Sequence, residues 1–179
     1  MWMTIPVNTK HDSLVNTVRI DNSQNWAMKH KKSIQINYTK SEFLRDHENF
    51  FNALYAQQFD LLVDINVEII RYLMKQLDIN TKTIFSSELH VEGTGSDRIL
   101  NICKSLDADF YLSGQFGRNY LNFEDFKNNG IDVKFQDYIH PAYKQCYDPF
   151  IPNMSIIDLL FNEGKNSTNI LRMNKQSSS

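Results

Sequence analysis

The chain has 179 residues, 41% hydrophobic and 22% charged, with a formal net charge of -2, which suits one globular domain with a proper core. The charge balance excludes an electrostatic case for nucleic acid, because the one basic run, Lys29-His30-Lys31-Lys32, is too short to make one. No apolar run approaches the roughly 20 residues of a membrane helix, and the start, MWMTIPV, lacks the parts of a signal peptide, so a cytoplasmic protein is expected.

Taken in order, Met1 to Val7 reads as a strand carrying Trp2, Ile5 and Val7, with Pro6 placing it at an edge. Leu14 to Ile20 alternates Leu14, Asn16, Val18 and Ile20 and predicts a second strand. Asp21-Asn22-Ser23 is a turn, and Asn25 to Lys32 predicts a short amphipathic helix anchored by Trp26. Ser41 and Asp60 are candidate caps for two longer helices. The first bears Phe43, Leu44, His47, Phe50, Phe51, Leu54 and Tyr55, and the second Leu62, Ile65, Ile69, Leu73 and Leu77, stripes best explained as core. Thr83-Ile84-Phe85 predicts a short strand.

Glu92 to Leu121 is the most informative stretch. Gly93 and Gly95 open a polar loop, Ser96 or Asp97 can cap a helix, and Ile99, Leu100, Ile102, Cys103 and Leu106 form its apolar stripe. Phe110-Tyr111-Leu112, ended by Ser113-Gly114, predicts a buried parallel strand. A helical piece with Phe123 and Phe126 stops at Asn128-Asn129-Gly130. Ile131 to Tyr138 alternates as a strand with one buried face, and Pro141, Pro149 and Pro152 stiffen the loop that follows. Ser155 caps a last helix, Ile156 to Phe161, ending at Gly164, and residues 173–179 read as a disordered tail. Helices alternating with strands predict one α/β domain over residues 1–172, a Rossmann-like layered sheet, mostly parallel, with helices on both faces.

In such sheets ligands sit beyond the carboxyl ends of strands, here the edge from Ser113 to Tyr120. His140, at a predicted strand end and among Tyr138, Tyr143 and Gln145, can act as acid or base, or can simply hold the loop backbone. Asp97-Arg98 at a helix start can hold an anion or form a surface cap. The cluster around His30, with Lys29 and Lys32, can bind phosphate or be a solvated helix face. Ser113 lacks a nucleophile elbow, Cys103 reads as core, and Cys146 has no forced activator. The Gly93–Ser96 loop is neither a P-loop nor a dinucleotide fingerprint, and no His, Cys or carboxylate cluster has metal-ligand spacing, so neither metal nor cofactor is expected.

Several segments together resemble the WbqC-like family of bacterial O-antigen and related surface-polysaccharide biosynthesis. They are W-x-x-K-H-x-x-S at Trp26 to Ser33 with Tyr38, Asp97-Arg98-Ile99-Leu100 with Ile102-Cys103-Lys104, and YLSG at Tyr111 to Gly114. Tyr120-Leu121, Gly130-Ile131, H-P-x-Y-x-Q at His140 to Gln145 and S-I-I-D-L-L-F-N at Ser155 to Asn162 complete the set. Each is weak alone, but in order they cover nearly the whole chain. The resemblance implies a cytoplasmic protein of that pathway. Its leading reading is an enzyme transferring an acyl or aminoacyl group to a nucleotide-linked amino sugar. His140, with His30, would then serve catalysis. Arg98 with Lys29 and Lys32 would hold phosphates, Tyr111, Tyr120 and Tyr143 would contact base or sugar, and Asp97, Ser113 and Gln145 would complete the substrate site. A non-catalytic binding or scaffold protein of the same pathway stays open. Family members carry a further N-terminal strand and an aromatic P-x-Y-x-P-x-x-G-type segment, so an N-terminally incomplete, and thereby inactive, chain is a third expectation.

Overall fold

In the computed structural model the described residues are 2–10 and 13–173. In chain order the elements are β1 (Val7–Asn8), a 3-10 turn (Val15–Thr17), β2 (Arg19–Ile20), α1 (Trp26–Tyr38), α2 (Leu44–Ala56) and α3 (Leu62–Gln76). There follow α4 (Gly95–Ser105), β3 (Phe110–Ser113), a 3-10 segment (Gln115–Asn119), α5 (Phe123–Asn128), β4 (Asp132–Phe135), α6 (Ile156–Glu163), a 3-10 turn (Gly164–Asn166) and α7 (Ser167–Met173). The chain divides into two units, Met1–Asn80 with His140–Ser179, and Thr81–Ile139. Of the expected tail, Met173 ends α7 and the remainder lies outside the described residues, as does Met1 of the expected first strand.

The Rossmann-like layered sheet does not form. The described chain is mostly helical, and its strands make two separate two-stranded sheets. The reason lies in the segments that looked like strands. In Leu14 to Ile20 the Thr17 hydroxyl donates to the Leu14 carbonyl (2.9 Å), and a 3-10 turn takes up the middle of the stretch. Within it only Arg19–Ile20 forms a strand, pairing antiparallel with Val7–Asn8. Thr83 to Phe85 has no ladder; its backbone closes a turn instead, the Glu88 N–H donating to the Phe85 carbonyl (2.9 Å). Alternation of apolar residues alone cannot supply the partner strand that a ladder requires.

In the first unit the helical stripes pack against one another rather than on a sheet. Trp26 and Ile34 of α1, Leu44, Phe51 and Leu54 of α2, Ile65 of α3, and Ile157 and Phe161 of α6 are buried together with Ile20 and Phe59. Burying each such side chain is worth about 1.5–3 kcal/mol, which is why the stripes and not local propensity hold these helices. The Phe161 ring is the hub, edge-on to Tyr38 (5.0 Å between centroids) and Phe51 (5.6 Å) and tilted against His47 (5.5 Å). α1 runs on to Tyr38, one and a half turns past the expected Lys32, because Ile34 continues its buried face.

In the second unit β3 and β4 are parallel, Phe110 opposite Asp132 through Ser113 opposite Phe135, joined by the crossover containing α5. α5 ends as its Asn-Asn-Gly signal predicts. Gly130 has φ +72°, the Ile131 N–H reaches the Phe126 carbonyl (3.0 Å) and the Gly130 N–H that of Lys127 (3.0 Å), a Schellman closure. Its hydrophobic contact is also present, since Phe126 and Ile131 are buried in the same core with Leu100, Cys103 and Leu121. Tyr111, Val133 and Phe135 pack on that core. Phe110 and Leu112 stay more than half exposed, so the apolar run of β3 is buried on one face only.

Candidate functional site

Helix α6 is an almost wholly apolar run, Ile156-Ile157-Asp158-Leu159-Leu160-Phe161, interrupted by one carboxylate that is 5% exposed. A buried carboxylate is tolerated only where donors surround it. Asp158 Oδ2 accepts from the Tyr143 phenol (2.7 Å) and from Gln145 Nε2 (2.9 Å). The Tyr38 phenol of α1 faces the same group. Its pKa is raised, first by burial and then by the Asp158 carboxylate.

One turn further, at the i+4 position on the same helix face, Asn162 extends the ladder. Its Nδ2 donates to the Asp158 carbonyl (2.8 Å). Its Oδ1 accepts from the Ser41 hydroxyl (3.2 Å) and the Cys146 thiol (3.2 Å), whose oxygen and sulfur lie 2.6 Å apart. Ser41 is therefore part of this cluster and not the cap of α2, which begins at Leu44 with no side-chain capping bond.

The Pro-rich loop is hung on this ladder. Gln145 brackets Ile151, accepting from its N–H at Oε1 (2.8 Å) and donating from Nε2 to its carbonyl (2.9 Å). The half-buried His140 ring lies 5.8 Å from the Tyr143 ring and 6.1 Å from the Phe150 ring, which meet each other edge-on at 5.6 Å. Lys40 sets its ammonium 5.2 Å from the centre of the exposed Tyr147 ring, beside the Ser41–Cys146 contact.

The structure thus brings His140, Tyr143 and Gln145 together. The other expected residues have different settings. His30 is buried on α1, edge-on to Trp26 and Tyr55, and its Nε2–H donates to the Thr4 carbonyl (3.2 Å), with burial pushing its pKa down. Lys29 and Lys32 lie on the exposed side of that helix. In the other unit, Asp97 is exposed in the first turn of α4, while Arg98 Nη1 donates to the Val91 carbonyl (2.6 Å) and so braces the preceding loop. Tyr111 stacks on Phe126 (5.9 Å). Ser113 is buried, its hydroxyl donating to the Gly114 carbonyl (3.0 Å), and a Cβ at Gly117 would collide with it. Tyr120 and Phe116 stand exposed beyond the end of β3, and the Arg118 guanidinium lies 4.1 Å from the centre of the Phe135 ring.

Asp158, Asn162, Tyr38, Ser41 and Lys40 were not expected at a site. The available signal was the lone carboxylate inside I-I-D-L-L-F, a residue that an apolar helix does not bury without a partner. Among the described residues no three His, Cys, Asp or Glu side chains are placed to hold a metal ion, and no helix is long and apolar enough to cross a membrane.

These features define a mostly helical protein whose last helices present a histidine-bearing loop on a buried polar ladder. The chain belongs to the WbqC-like protein family, which matches residues 1–170. It is also 29% identical over 180 residues to the uncharacterized protein Rv1507c of Mycobacterium tuberculosis, an alignment covering 98% of this chain and 77% of that relative. No solved structure matches the chain.

Proposed function

We propose that this protein acts in the cytoplasmic assembly of bacterial surface polysaccharide, including O-antigen, transferring an acyl or aminoacyl group to the amine of a nucleotide-linked amino sugar. The observation that carries this reading is the His140 ring packed against the paired Tyr143 and Phe150 rings on a loop pinned to α6. A neutral imidazole there takes the proton from the sugar amine as its nitrogen attacks the acyl carbonyl. An amide bond forms, the bond to the donor's leaving group breaks, and the proton passes to that group. Lys40 over the exposed Tyr147 ring offers a cation and an aromatic face for phosphate and base, alongside the Lys29 and Lys32 contacts expected from the sequence.

The reading is tested by incubating the protein with nucleotide amino sugars and acyl or aminoacyl donors and following amide formation by mass spectrometry. His140→Ala should lower turnover by on the order of 10²-fold or more; undiminished turnover sinks the base assignment. A second reading, a non-catalytic binding protein of the same pathway, is favoured by one observation. The Ser41 hydroxyl and Cys146 thiol both donate to an amide oxygen rather than to a base that would activate them. Ligand-dependent rise of the thermal midpoint without product selects that reading.

A further inference from the structure

We propose that Asp158 is the positioning residue of the His140 site, its carboxylate fixing the two aromatic walls, Tyr143 and Phe150, against which the imidazole packs. The inference rests on the reading above in taking His140 as the working group. One wall is Tyr143, whose phenol donates directly to Asp158 Oδ2 (2.7 Å). The other is Phe150, whose neighbour Ile151 is held by both its N–H and its carbonyl to the Gln145 amide. That amide's nitrogen also donates to Asp158 Oδ2 (2.9 Å). Both routes therefore end on one oxygen.

The setting argues against mere packing. Ile157, Leu159, Leu160 and Phe161 around Asp158 are all buried, and a leucine at this position would avoid the desolvation of a carboxylate. A charge kept there, with the phenols of Tyr38 and Tyr143 and the Gln145 amide turned towards it, holds a geometry that apolar contact cannot specify. The Asn162 ladder one turn on carries Ser41 and Cys146 and clamps the loop from its far side. Asp158 acts on His140 through Tyr143 and Gln145.

The test uses the full chain labelled at the histidine ring carbons, with the His140 signal assigned by its loss in His140→Gln. In Asp158→Asn, which keeps the shape and removes the charge, the His140 ring signals should shift, because the Tyr143 phenol and the Gln145 amide lose their charged acceptor. The His30 and His47 signals, set by other partners, should stay in place. Should Asp158→Asn fail to fold, Tyr143→Phe decides, because it deletes one donor and keeps the ring; it should shift the His140 signal as well. A lowered thermal midpoint with an unmoved His140 signal in these variants makes Asp158 structural only and overturns the proposal. No substrate enters these measurements. Undiminished transfer in His140→Ala, with the ring shift present in Asp158→Asn, removes the base and leaves the positioning role.

Discussion

His47 is set to make stability depend on pH. It is buried, its Nδ1 lies 2.5 Å from the Tyr72 phenol oxygen, and its other ring nitrogen is directed at the Leu160 carbonyl. That carbonyl can only accept, so the neutral ring accepts from Tyr72 at Nδ1. Burial pushes the His47 pKa down and raises the Tyr72 phenol to about 12. A histidine whose folded pKa lies below its unfolded value binds more protons when unfolded in the window between them. Stability should therefore be full above the unfolded value of about 6.5 and fall as the pH drops below it. His30, buried against Thr4, shifts the same way and adds to the slope. Urea unfolding at pH 7.5 and 5.5 should show the loss, and His47→Gln should flatten it while costing about 1–2 kcal/mol at pH 7.5. An unchanged slope in the variant would assign the effect elsewhere. None of this was legible in the sequence beyond His47 falling on an apolar stripe, because the Tyr72 partner comes from another helix.

At the scale of elements, a helix boundary is legible where a local residue sets it. Gly164 and Gly130 end their helices where expected, both with positive φ, because a left-handed residue after a helix is a local requirement that glycine meets. Asn25 and Ser155 stand immediately before α1 and α6 as expected, whereas three other beginnings lie elsewhere. Ser41, Asp60, Ser96 and Asp97 looked like caps, but α2, α3 and α4 start after Phe43, Leu61 and Thr94 without side-chain capping bonds. Tertiary contacts decided those starts, as when the Phe43 N–H bonds the Phe161 carbonyl (3.0 Å) and pulls Ser41 to the polar ladder. Two glycines share a φ of +52°, but Gly164, with ψ −128°, is crowded as well. A Cβ at Gly164 would sit 2.6 Å from the Phe43 ring, whereas one at Gly95 meets nothing within 4 Å. Gly95→Ala should cost about 1 kcal/mol, from the left-handed backbone alone, and Gly164→Ala about 2–4 kcal/mol. Chemical denaturation of the two variants checks the order, and equal losses would mean that the Phe43 ring moves aside freely.

For the whole molecule, the layered sheet expected from the alternation of elements gives way to two hydrophobic cores, one in each unit. Phe161 is the fully buried hub of one core and Phe126 of the other. Truncating either to alanine should cost about 3–5 kcal/mol, but in different places. Hydrogen exchange should show Phe126→Ala losing protection across α4, β3, α5 and β4 while α1, α2 and α3 keep theirs, and Phe161→Ala doing the reverse. Simultaneous loss in both units from either substitution would show one cooperative body instead. Residues 79–94, largely exposed and without regular structure, should be the first cut in limited proteolysis.

By itself the sequence determined what depends on neighbours in the chain. The apolar stripes of the helices, the Asn-Asn-Gly stop, the extended Phe110–Ser113 segment and the ordered motifs of the WbqC-like family all lie within short windows. The tertiary structure alone decided whether a strand found a partner, which is why the layered sheet reduced to two pairs. It also decided which polar groups met across distant segments. His140, Tyr143 and Gln145 could be suspected from one loop. That their loop hangs on Asp158 and Asn162, with Tyr38 and Ser41 closing the cluster, follows only from burying a charged residue. A carboxylate removed from water must draw its donors from wherever the fold can bring them.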